Sequence, residues 1–231
     1  MLNADDAVTR SYAQRGVGTP VWFSSTSTVD RGAWLDGDRI VLDGDTLMLS
    51  AEVPLRGVHN LENTMAAAVM ARLAGASNEQ IRAAVMNFPG VEHRLEFVRN
   101  LDGVAWYNDS KATNVDAVLI ALAAFPPGQR LWLIAGGKGK GAPYRPLVEA
   151  SVGKVAGVLT VGQDAPLLAA EFSPVLPVHA CETLDRAVAR ARVLARPGDV
   201  VLLSPACASF DQFRNFEHRG DTFRALVESL T

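Results

Sequence analysis

Cysteine is nearly absent from this 231-residue sequence, which has only Cys181 and Cys207. So few thiols suit a reducing cytoplasm, where the chain is expected to reside, and no disulfide framework. Lysine is also scarce. Of 22 basic residues only Lys111, Lys138, Lys140 and Lys154 are lysine, so Arg carries the remaining positive charge. The net charge of −3 leaves no broad positive footprint for nucleic acid or anionic lipid, and neither is expected as a partner. No apolar run reaches membrane-spanning length, and Met1–Asp6 does not read as a signal peptide. His59, His179 and His218 have no metal-ligand spacing with Cys or carboxylates, so no metal site is assigned.

Apolar residues make up 48% of the chain, enough for a sizeable core, and the rhythm of the sequence changes at Pro89-Gly90. Before that point, residues 20–24, 33–35, 39–42 and 46–49 read as strands, with Asp-Gly turns at 36–37 and 43–44. Residues 60–74 and 78–88 read as helices, the second capped near Ser77. After it, strand patterns at 95–98, 104–108, 131–135, 155–161, 176–179 and 200–203 alternate with helical ones at 115–124, 144–150, 165–170, 184–194 and 210–230. This alternation predicts an α/β fold: a mostly parallel, Rossmann-like sheet over 91–231 with helices on both faces. Ligands of such sheets bind beyond the carboxyl ends of the strands, where the chemistry-bearing segments fall.

Three segments stand out. Ser204–Gly220 follows an apolar strand with small and hydroxyl residues. It is expected to open a helix near Asp211 with Phe210, Phe213 and Phe216 on one side, and so to present an anion-binding N-terminus. Within it, Cys207 reads as a small buried thiol, because no His is placed to activate it. In Tyr107–Asn114, any of Asp109, Ser110 and Thr113 could cap the following helix, but Lys111 beside them conflicts with a helix N-terminus unless an anion is bound. Ala135-Gly-Gly-Lys-Gly-Lys-Gly141 reads equally as a ligand loop or a flexible basic loop, and it lacks Walker A spacing. Asn60 and Asn63, one turn apart, suit either helix capping or the edge of a purine. A His-Arg pair, His93-Arg94, precedes the next strand and by itself reads as surface or structural.

In order and spacing these motifs resemble the Mur ligases over nearly the whole chain, and Ser204–Gly220 resembles the member that adds D-glutamate. The resemblance implies ATP-dependent ligation of D-glutamate to UDP-N-acetylmuramoyl-L-alanine through an acyl phosphate, in peptidoglycan precursor synthesis, by a monomeric enzyme. Residues 1–90 would then be the later part of a central ATPase domain, and residues 91–231 the C-terminal amino-acid-binding domain. Carried over by position, Asn60, Asn63, Arg94, Asp109 and Lys111 would bind the nucleotide. Thr113, Lys140, Ser209, Phe210 and Phe216 would bind D-glutamate, and Lys111 and Lys140 would be catalytic. The phosphate loop and the Mg2+ ligands of that family lie upstream of the first residue of this sequence. The 231 residues alone are therefore expected to be inactive in ligation, with the cut central part the less stable. Two alternatives are another amino-acid ligase of the Mur or folylpolyglutamate type, and a non-catalytic module that binds an amino acid or nucleotide.

Overall fold

The computed structural model describes residues 1–231, which divide into two compact units, Met1–Gly90 and Val91–Thr231. The first unit runs β1 (Leu2–Asn3), α1 (Ala7–Ser11), β2 (Trp22–Ser24), β3 (Gly32–Asp36), β4 (Arg39–Leu42), β5 (Asp45–Leu49), α2 (Val58–Leu73) and α3 (Asn78–Met86). Its five strands lie in sequence order in one sheet. β3, β4 and β5 form the antiparallel meander that the Asp-Gly turns encode, whereas β1, β2 and β3 are parallel. The short β1 and α1 leave too weak a periodicity to be read from sequence. Met65, Ala68 and Val69 of α2 and Ile81 of α3 pack on Ile40, Leu42 and Met48. Ser77 caps α3 in a reciprocal capping box with Gln80.

α2 begins two residues earlier than the apolar pattern suggests. Its N-cap is Gly57, at φ +93°, with no capping side chain. Asn60 and Asn63 therefore lie inside the helix and do not cap it. Asn60 instead donates from Nδ2 to the Arg56 carbonyl at 2.7 Å.

The second unit contains β6 (Glu96–Leu101), β7 (Val104–Asn108), α4 (Val115–Ala123), β8 (Leu131–Gly136), α5 (Arg145–Ser151), β9 (Val155–Val161), α6 (Ala165–Phe172), β10 (Val178–Glu182), α7 (Leu184–Leu194), β11 (Val200–Leu203) and α8 (Phe216–Glu228). The strand order is β10-β9-β8-β11-β7-β6, parallel except for β6 against β7. β8 and β11 are buried along their whole length, as central strands covered on both faces must be. Helices α4, α5 and α6 pack on one face and α7 and α8 on the other. This is the doubly wound α/β sheet that the alternation predicts. No helix is long and apolar enough to cross a membrane.

One large departure concerns the last helix. α8 starts at Phe216, with Asn215 as its N-cap accepting from the His218 amide at 2.8 Å. Residues 209–215 form a single turn, closed by the Gln212 and Phe213 amides on the Ser209 carbonyl at 3.1 and 2.8 Å, that does not continue as a helix, and two of its side chains are tied to other segments. Asp211 accepts the Gln163 amide at 2.8 Å, and Gln212 Nε2 donates to the Glu182 carbonyl at 2.8 Å. These ties to the loop after β9 and to the end of β10 outweigh a local propensity to propagate a helix through Asp211. Phe210, Phe213 and Phe216 consequently do not share one helical face.

Candidate functional site

The winding reverses around β11: the connection from β7 enters α4 on one face, and β11 leads to α8 on the other. Such a reversal opens a crevice beyond the carboxyl ends of the strands. The segments after β7 (residues 109–114), β8 (137–143) and β11 (204–215) meet at that edge.

Backbone hydrogen bonds join the last two. Lys138 and Ala208 form an isolated antiparallel bridge, with N–H to O=C distances of 2.8 and 3.0 Å. Gly137, at φ +129°, makes this possible, since a Cβ there would lie 2.3 Å from the Ala208 carbonyl oxygen. The bridge places Lys138 beside the residue preceding Ser209. Ser209 is 2% exposed, and its Oγ has no hydrogen-bond partner. A buried hydroxyl with no partner in the chain is able to take one further hydrogen bond. Lys140 is exposed, and its Nζ lies 3.4 Å from Thr113 Oγ1, so the loops after β7 and β8 converge through these two side chains. Phe210 is 68% exposed and contributes an open apolar surface at the same end.

The segment after β7 is not capped by the residues expected to cap it. Asn114 caps α4, accepting from the Ala117 amide at 2.8 Å. Asp109 instead turns into the core. Its carboxylate accepts Ser204 Oγ at 2.7 Å and the Leu95 amide at 3.2 Å. Burial raises its pKa to about 7, against the opposing pull of those two hydrogen bonds and of Arg94. Ser110 donates from Oγ to the Phe216 carbonyl at 2.8 Å. Lys111 lies with Nζ 3.8 Å from the centre of the Phe216 ring, a cation–π contact that joins this segment to the start of α8. Arg94 is exposed beside the same segment. Asn60 and Asn63 belong to the first unit, where Asn63 donates to Asn60 Oδ1 at 3.4 Å.

Two buried groups that the sequence reading passed over hold this edge together. Arg219 is 2% exposed and binds Ser110 Oγ at 3.0 Å, the Ser110 carbonyl at 2.9 Å and the Cys207 carbonyl at 3.1 Å. Burial lowers its pKa to about 10. The available signal was its place on the apolar stripe Arg219, Phe223, Val227 of α8, where a charge needs a reason. Asn108 is fully buried, and its amide nitrogen faces His93 Nδ1 at 3.0 Å, Glu96 Oε2 at 3.1 Å and the Gly220 carbonyl at 3.2 Å. With two N–H bonds for these three neighbours, the amide serves at most two of them at once. The pair His93-Arg94 thus splits into a buried structural imidazole and an exposed guanidinium.

Cys207 is fully buried, and its thiol pKa is pushed up to about 11, chiefly by burial. Burial thus keeps the thiol protonated and out of reach of solvent. No three His, Cys, Asp or Glu side chains come together as a group that could hold a metal ion.

Comparison with known proteins relates the chain to one family. Residues 93–207 match the Mur ligase, glutamate ligase domain. The chain is 54% identical over 244 residues to the UDP-N-acetylmuramoylalanine--D-glutamate ligase of Myxococcus xanthus, covering all of this chain and 52% of that protein. It is 52% identical over 230 residues to the enzyme of the same name from Solibacter usitatus, again over all of this chain and 52% of the relative. The chain therefore spans about half the length of the curated relatives it matches. Among solved structures, a pseudomurein peptide ligase type C from Methanothermus fervidus superposes with a TM-score of 0.72 at 14% identity, covering all of this chain and 56% of that one. At that identity the likeness speaks for the fold alone. The family model and the match of the whole chain to relatives more than 50% identical to it show that the chain belongs to the Mur ligases.

Proposed function

We propose that the second unit captures D-glutamate for an ATP-dependent ligation to UDP-N-acetylmuramoyl-L-alanine, as the names of its close relatives describe for them. The observation that carries this reading is the convergence of Lys140 Nζ on Thr113 Oγ1, 3.4 Å away, in the same crevice as the buried, unpartnered Ser209 Oγ. D-Glutamate brings two carboxylates. An ammonium and two hydroxyls are apt partners for them, and charge-assisted bonds give the ammonium the largest share. Phe210 and the Phe216 backbone would flank the aliphatic part. Holding the acceptor amine in line with an activated carboxyl is chiefly an orientation effect. Lys111 would act at the phosphates and Lys140 at the acceptor.

Each unit, taken by itself, offers groups suited to part of ATP. Asn63 keeps its carbonyl oxygen and a second N–H beyond its contact with Asn60, which matches the paired donor and acceptor of an adenine edge. Arg94 and Lys111 supply charge for ribose and phosphate, and Asp109 orders the strand end that carries Lys111. ATP would supply the phosphoryl group that activates the muramoyl carboxyl.

The test is titration of the 15N-labelled 231-residue chain with D-glutamate, with L-glutamate as control. Saturable shifts at residues 113, 138–141 and 208–210 are expected. Lys140→Ala is expected to weaken binding about 10- to 100-fold, the value of one charge-assisted hydrogen bond. Absence of saturable shifts, or equal affinity in Lys140→Ala, would refute the reading.

A further inference from the structure

Lys140 lies in a stretch with little to hold it. No backbone hydrogen bond engages residues 139–143. On one side the stretch is fixed by the Lys138–Ala208 bridge. On the other it runs into Tyr144, which precedes α5 and is 7% exposed. The Tyr144 hydroxyl lies 2.8 Å from Asp164 Oδ2 and 3.0 Å from Cys207 Sγ. Its single proton goes to the carboxylate, which has none to give, so the Cys207 thiol donates to the phenol oxygen. Burial and these two neighbours raise the Tyr144 pKa well above the ordinary phenol value, so it stays protonated.

One phenol thereby joins three loops: its own after β8, that of Asp164 after β9, and that of Cys207 after β11. Asp164 also closes on the Lys140 stretch directly. A Cβ on Gly139 would lie 1.9 Å from Asp164 Oδ2 and 2.9 Å from the Tyr144 hydroxyl, so the carboxylate packs on bare backbone one residue before Lys140. The Asp164 amide donates to the Gly137 carbonyl at 2.9 Å, completing the clamp from the other end.

The geometry points to Tyr144 and Asp164 as positioning residues that clamp the Gly137–Tyr144 loop and so hold the Lys140 ammonium in place for an acidic acceptor. Neither side chain touches the acceptor. This inference rests on the reading of the site as an acceptor-binding one, and its test separates the two.

Three variants of the 231-residue chain serve. Tyr144→Phe keeps the ring and deletes the hydroxyl. Gly139→Ala pushes the Asp164 carboxylate away without removing any hydrogen-bonding group. Asp164→Asn keeps an acceptor for the phenol and acts as the conservative control. Amide hydrogen exchange at Gly137, Lys138, Asp164 and Ala208 reads the clamp without any ligand. It should accelerate about 2- to 10-fold in Tyr144→Phe, the value of one neutral hydrogen bond, while exchange in β9 and β11 stays unchanged. Gly139→Ala should behave likewise, and Asp164→Asn should match the parent. D-Glutamate affinity should fall in the same two variants by a similar factor. Unchanged exchange at those four amides, or uniform acceleration through the whole unit, overturns the clamp. Local acceleration in chains of which none, the parent included, binds D-glutamate supports the clamp and refutes the acceptor reading instead.

Discussion

Replacing Asp109 by Asn should stabilise the second unit at neutral and alkaline pH and leave it almost unchanged in acid. Asp109 has an ordinary value of 3.8 and a folded value of about 7, set mainly by burial. Folding therefore takes up a proton between those values. The stability tied to the protonated carboxyl is complete below the unfolded value, is lost as pH rises through the folded one, and is constant above it. Three units at 1.36 kcal/mol each make this loss ~4 kcal/mol. Asn is never ionised and fits the same contacts. Its Oδ1 keeps the Leu95 amide, and its Nδ2 donates to Ser204 Oγ once that hydroxyl rotates. Urea unfolding followed through amide signals of β7 and β11 reads this unit alone. The variant should exceed the parent by up to ~4 kcal/mol at about pH 8 and by little at about pH 4. A difference that is the same at both pH values would show that Asp109 titrates normally in the fold, and the account of its burial would fail.

Two further outcomes follow from packing and burial. Gly220→Ala places a methyl 2.2 Å from His93 Nδ1 inside α8. The ~1 kcal/mol gained in helix propensity should be outweighed by overpacking and a displaced imidazole, for a net loss of about 1–3 kcal/mol. Thermal unfolding no lower than the parent's would contradict this. Both thiols should resist alkylation at about pH 8 until the chain unfolds, because burial raises the Cys207 pKa to about 11 and raises that of Cys181 as well. Rapid labelling of the native chain would refute that account.

Much of the second unit is legible from sequence because its signals are local. β8 and β11 are continuous apolar runs, and a run buried on both faces has one physical solution, a central parallel strand. The reading fails where long-range hydrogen bonds compete with local preference. Residues 209–215 look helical, but the side chains of Asp211 and Gln212 bond to the loop after β9 and to the end of β10. Asp109 looks like a helix cap, but Ser204, 95 residues away in sequence, claims its carboxylate. Asn60 and Asn63 look like caps, but the turn into α2 is made by Gly57 at φ +93°, a backbone geometry that no side-chain pattern advertises.

The sequence by itself determined the family, the fold class and which short segments carry polar chemistry, because strand burial, helix periodicity and motif order are properties of neighbouring residues. Only the tertiary structure decided which of those groups are bound within the fold. Ser209 Oγ is buried and left unpartnered, whereas Asp109, Asn108 and Arg219 bind other segments. The physical reason is that a buried polar group must find a partner, and the partners at this sheet edge lie on strands distant in the chain.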